Sequence, residues 1–213
     1  SEGLVYLTAK AIKEVGAANA LGQAEQEQIL AALNKALQGD RSPRVLQQLL
    51  FAMGNLQIPQ AMQASMDILN RRADMHAANP GRSIKPELEL IQSLFPELVR
   101  KQAIGQGNQD AIMQLAKVAM RYHLLALKMF DQRQVPSELT SEYVDLIVTT
   151  DLTIDWAIKA LTPGANRPPL LTKNDLQSNW AVHLLRGQNW KLLLGQPPFN
   201  FQPAELDVTV KKG

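Results

Sequence analysis

The chain has 213 residues, a formal net charge of +2 and no cysteine. That length can bury a core, and an apolar fraction of 46% with 20% charged residues excludes a disordered polyelectrolyte. The lack of cysteine excludes disulfides, iron–sulfur clusters and thiolate zinc sites. Charge is spread evenly: residues 1–110 hold eleven basic and eleven acidic side chains, and residues 111–213 hold eleven and nine. A nucleic-acid binder concentrates positive charge on one face, so scattered bases such as Arg71, Arg72, Arg82, Lys85, Arg100 and Lys101 argue against that class.

No apolar run reaches the roughly 18–20 residues of a membrane-spanning helix. Ser1-Glu2-Gly3 does not read as the basic start of a signal peptide. With no initiator Met, the start fits a trimmed chain or a mature or excised fragment. The compartment stays open between cytoplasm and periplasm or secretion.

Helical periodicity runs through nearly every segment. Leu4, Leu7, Ala11 and Val15 form a stripe on a first helix reaching about Ala20. A second helix from about Ala24 carries Ile29, Leu33 and Leu37, and Gly39 is placed as a left-handed C′ glycine. Ser42-Pro43 then reads as N-cap and N1 of a third helix with Val45, Leu46, Leu49, Leu50 and Met53 inward, ended by Gly54-Asn55. Pro59 opens a fourth with Met62, Met66, Leu69 and Ala73 inward. Residues 42–69 have the rhythm of a HEAT-type helical repeat, but the pattern does not recur at a period of about 30–50 residues.

Residues 76–83 read as a loop, with Asn79-Pro80-Gly81 as its turn and a candidate subdivision of the chain near 78–84. A fifth helix starts at Pro86 and should kink or split at Pro96. The sixth, Asn108 to Asp131, and the seventh, Ser141 to Leu161, are long and strongly periodic. After a Pro-rich connector, an eighth helix is expected over 173–186, with Leu176, Trp180 and Leu184 on one face. The pattern divides the chain into a helical domain, 1–186, and a proline- and aromatic-rich C-terminal arm, 187–213. Residues 205–211 alternate polar and apolar side chains through Leu206, Val208 and Val210, as a strand does. The expected fold is therefore all-α, an irregular multi-helix bundle or short α-solenoid of about eight helices, with an arm holding at most one β-strand.

Three residue groups are candidates for function. Trp180, His183, Trp190, Phe199 and Phe201 gather the aromatic side chains at the C-terminal end, where they would anchor a partner or pin the arm to the bundle. Tyr122 and His123 sit mid-way along the sixth helix and would line an internal pocket. Asp151 and Asp155, four apart on the seventh helix, project from one face and would share a proton or a cation. No Glu-x-x-His pair accompanies His123, no nucleotide-binding glycine pattern and no nucleophile elbow occur, and no metal or cofactor is implied. The leading reading is a non-enzymatic helical interaction module, an adaptor or subunit that binds another protein, with the arm as a route to that partner. The alternative is a small-ligand protein or enzyme with a pocket among Tyr122, His123, Asp151 and Asp155.

Overall fold

The computed structural model describes residues 1–17, 20–39, 41–177 and 179–212, and among them the regular structure is helical, with no β-strand. In chain order the helices are α1 (Glu2–Ala17), α2 (Gln23–Leu37), α3 (Pro43–Gly54), α4 (Pro59–Ala78), α5 (Lys85–Ala103), α6 (Gln109–Asp131), α7 (Thr140–Leu161), α8 (Trp180–Leu194) and the single turn α9 (Pro203–Leu206). No described helix is long and apolar enough to cross a membrane.

The helices fall into two rows. Odd-numbered helices pack in succession, α1 on α3, α3 on α5 and α5 on α7, and even-numbered helices follow suit, α2 on α4, α4 on α6 and α6 on α8. Short links between antiparallel neighbours generate this alternation. The most extensive contact joins the rows, between α6 and α7. Helix α6 is the axis of the molecule: from Leu115 to Met129 only Lys117 and Lys128 escape full burial. Apart from the row Lys117, Arg121 and Lys128, its sides are apolar and turn inward, and each buried Leu or Met there contributes roughly 1.5–3 kcal/mol. Its start is fixed locally, because the Asn108 side chain accepts the Ala111 N–H at 3.2 Å.

Several local expectations change. The α1 stripe of Leu4, Leu7, Ala11 and Val15 faces solvent, with Leu4 65% exposed. The packed face holds Ala9, with Val5, Tyr6 and Ile12 partly buried. Helix α1 is apolar on both sides, so periodicity alone could not choose between them. The expected extension of this helix over residues 18–19 lies outside the described residues. Gly39 does not take the left-handed conformation; Gly81 and Gly105 do, with φ of 86° and 74°. Ser42 occupies the N-cap of α3 without a side-chain cap bond. Helix α5 continues unbroken through Pro96, and α4 runs to Ala78, so His76 is helical rather than in a loop.

The largest shift is at the C-terminal end. Only a 3-10 turn forms at Lys173–Asp175, closed by Thr172 donating its N–H and hydroxyl to Asp175 at 2.7 Å each. The helix proper begins at Trp180 and crosses residue 187 to end at Leu194. Gly187 does not break it. A Cβ there would stand 3.3 Å from Leu124 and 3.8 Å from Leu127, so the glycine lets α8 lie close against α6. The alternation over 205–211 is realised as burial: Leu206, Val208 and Val210 turn inward while Glu205 and Thr209 face water. After α9 the segment 207–212 is extended and pairs with no strand among the described residues. It is tied to the bundle by Lys211 donating to the Ala77 carbonyl at 2.9 Å, by Gln134 donating to the Lys211 carbonyl at 2.8 Å, and by Lys128 donating to the Val208 carbonyl at 2.7 Å.

The close approach at Gly187 gives a test of the packing. Gly187→Val should lower stability in urea by about 1–3 kcal/mol through overpacking against Leu124. An unchanged midpoint would show that α8 does not lie this close to α6.

Candidate functional site

Helix α8 contains no acidic residue and is apolar nearly all round. Its inner row, His183, Gly187, Trp190 and Leu194, follows the i, i+4, i+7, i+11 spacing and is buried. That row meets Asp151 of α7, whose side chain is 0% exposed. Arg186 closes on the carboxylate with two donors, Nη1 to Oδ1 and Nη2 to Oδ2, the latter at 3.1 Å. Trp190 Nε1 donates to Oδ1 at 3.0 Å, and the Leu171 backbone N–H donates to Oδ2 at 2.8 Å. Arg186 also reaches the Pro169 carbonyl and lies over the Trp190 ring, 5.2 Å from its centroid. One buried charge thus fastens α7, α8 and the Pro-rich connector together. A carboxylate has about four acceptor positions, and four donors from the chain fill them. Asp151 has no capacity left to bind a substrate or a cation.

His123 lies beside this knot and is 0% exposed. Its Nδ1 is 3.1 Å from Thr150 Oγ1. The single Thr150 hydroxyl proton is directed to the Leu146 carbonyl at 2.7 Å, so Thr150 accepts and His123 Nδ1 carries the proton. Nε2 is then a bare acceptor, buried without a partner. Burial drives the His123 pKa down to about 4, against the pull of the Asp151 carboxylate. The imidazole is a neutral packing element. Its neighbour Tyr122 points elsewhere, donating to the Leu69 carbonyl at 2.8 Å, and burial pushes its phenol well up. Asp155 pairs with Arg167 at 2.8 Å. Of the residues proposed to line an internal pocket, Tyr122, His123 and Asp151 are sealed from solvent. Among the described residues no group of three or more His, Asp or Glu is placed to hold a metal.

The aromatic residues of the C-terminal end are also turned inward. Trp190, Phe199 and Phe201 belong to the core, and His183 is buried. Trp180 is partly buried and stacks on Phe130 with centroids 4.0 Å apart and planes 5° from parallel. The five residues hold α8 and the arm against α6. What the arm leaves outward is different: Leu185 and Leu192, on the side of α8 opposite Trp190, and Val182 on the flank beside them are 69%, 66% and 53% exposed. Leu192 lies between two shallow grooves. One, of about 620 Å³, runs along Arg167, Pro168, Pro169 and Asn189, and the other, of about 530 Å³, along Lys191, Phe201 and Pro203.

Sequence reasoning singled out Asp151 and Trp190 but assigned them to separate hypotheses, and it missed Arg186, Arg167 and Thr150. Arg186 carried a readable signal, being the lone strongly basic residue in the first half of an apolar helix, where a charge needs a distant partner.

The Asp151 knot and His123 each yield a prediction. Asp151→Asn removes the charge that compensates Arg186, and breaking such a pair should cost about 3–5 kcal/mol. Adding Arg186→Met should recover part of that loss, and a double-mutant cycle showing no coupling would contradict the geometry. For His123, the unfolded chain takes up a proton below about pH 6.5, whereas the folded chain does so only near 4. Its contribution is therefore fully present above pH 6.5 and lost as the pH falls toward 4, by up to about 3 kcal/mol. The stability difference between wild type and His123→Leu should change by that amount across the window, measured by urea unfolding; a constant difference refutes the assignment.

Comparison with known protein families, with curated proteins and with solved structures returns no match, so the functional reading rests on the geometry of the chain alone.

Proposed function

We propose that the chain is a non-enzymatic interaction module that binds an amphipathic helix of another protein on the outer face of α8. The observation that carries this reading is the row Val182, Leu185 and Leu192, exposed on a helix whose opposite side is already fully packed. Exposed apolar side chains are common singly, but three on one helix, with Leu185 and Leu192 seven residues apart and Gln188 and Asn189 between them, form a grouped apolar surface of the kind that marks a binding face. Helix α8 ends the even row, so its outer face stands where the next helix of that row would pack. A helix with its own i, i+3, i+7 apolar stripe fits such a position.

This differs from a mode in which the arm's aromatic side chains reach out, since those side chains already serve the core. The arm supports the site instead, by bracing α8 from below and bordering the groove beside Leu192.

The test compares the wild-type chain with Leu185→Glu/Leu192→Glu. Both positions are exposed, so the urea midpoint should stay within about 0.5 kcal/mol of wild type. A binding partner isolated with the wild-type chain should then lose at least about tenfold in affinity for the double variant, since each buried Leu is worth more than 1.4 kcal/mol. Equal affinity for both chains would exclude the α8 face.

A further inference from the structure

A second feature, on the far side of the molecule and independent of the α8 face, concerns the groove between the end of α2, the start of α3, the second half of α4 and the loop before α5. Its volume is about 570 Å³, within the usual range for small-molecule sites. Four of its lining side chains are basic or ring nitrogens, Arg41, Arg72, Arg82 and His76, and no Asp or Glu lines it among the described residues. The remaining wall is apolar, with Leu37, Leu46 and Met75 prominent.

The cationic side is built on a buried polar floor. Glu87, at the start of α5, is 0% exposed and takes Arg72 Nε and His76 Nε2 on the same oxygen, the latter at 3.0 Å. Burial alone would raise the Glu87 pKa, but His76 and Arg72 outweigh it and keep the carboxyl ionised. This pairing fixes Arg72 by its Nε, and among the described residues its two terminal nitrogens have no hydrogen-bond partner. Arg41 is held the same way, with Nε donating to the Ala36 carbonyl at 2.9 Å. Arg82 is exposed, and among the described residues its guanidinium has no partner. His76 is buried, and its second ring nitrogen, Nδ1, is without one too. At the rim Glu2 accepts the Ser42 N–H at 3.0 Å and feels the Arg41 charge, and Glu142 accepts the Ser83 hydroxyl at 2.8 Å and the Ile84 N–H at 3.1 Å.

Two guanidiniums anchored through Nε, with no hydrogen bond from their forks among the described residues, are arranged as arginine is when it grips a carboxylate or phosphate bidentately. We propose that this groove binds a small organic oxyanion, a carboxylate or phosphate seated between Arg41, Arg72 and Arg82, whose apolar body lies against Leu37, Leu46 and Met75.

Isothermal titration calorimetry of the intact chain at low ionic strength tests this with four probes: phenyl phosphate, benzoate, inorganic phosphate and benzyl alcohol. Saturable binding of phenyl phosphate or benzoate is expected, with the tighter of the two naming the oxyanion. Inorganic phosphate should bind at least about tenfold more weakly, having no apolar body. The Arg41→Gln/Arg82→Ala variant should weaken the organic anions by about tenfold or more, through loss of charge-assisted hydrogen bonds. These positions leave the Arg72–Glu87–His76 floor intact, and an unchanged far-UV spectrum and urea midpoint confirm that the variant folds. Binding of benzyl alcohol as tight as that of the anions, inorganic phosphate as tight as phenyl phosphate, no binding of either organic anion, or undiminished binding to the double variant would each overturn the proposal.

Discussion

A single buried charge sets the layout of the C-terminal half. Asp151 is out of reach of water, and an ionised carboxylate in that position is stable only if the chain itself replaces the solvent. Four donors do so, and they come from three residues on two segments: Arg186 and Trp190 on α8, and the backbone at Leu171 in the connector. The demand to satisfy one side chain therefore decides where α8 lies, which of its faces turns inward and how the Pro-rich connector crosses α7. The face of α8 left outward is what remains after this requirement is met.

The second buried carboxylate, Glu87, works by the same rule at the other end of the molecule, but less completely. Arg72 and His76 share one of its oxygens while the other oxygen stays buried without a partner. The contrast is instructive. Asp151 is saturated and chemically inert, whereas the Glu87 cluster leaves donors unspent toward an open groove. Buried charge in itself says little about activity; the residual bonding capacity around it says more.

The helical class and most helix positions were legible because amphipathic period and punctuation agreed, as at the start of α6 near Asn108 and at Gly54-Asn55 closing α3. Legibility failed where two readings share one local pattern. Helix α1 has apolar residues on both sides, so Leu4 and Leu7 looked like core. Thr172 to Asp175 has the composition of a helix start and makes the local bonds of one, but it closes only a 3-10 turn. Gly187 looked like a stop and is a close-packing residue. The strand-like period of the last residues was correct as a burial pattern and silent on what they pack against. At the site level, Asp151 and Trp190 were visible as unusual residues. Their union through Arg186 was not, because a contact between elements distant in sequence leaves no mark in spacing.

The extended segment from Asp207 to Lys212 has a consequence for how the molecule assembles. Stacking in two rows makes most contacts between helices one or two apart in order, which keeps loop-closure costs small and lets structure spread from any nucleus. The strap breaks this regularity. It returns from the far end of the chain to the Ala77 carbonyl and to the turn after α6, touching elements that were packed long before it in sequence. Its contacts have the highest sequence separation in the C-terminal half, so it is the part of the fold that local propagation cannot build. The bundle must exist before the strap has a surface to lie on, which makes docking of this segment a closing step, detectable as late protection of the Lys211 amide in pulsed hydrogen exchange.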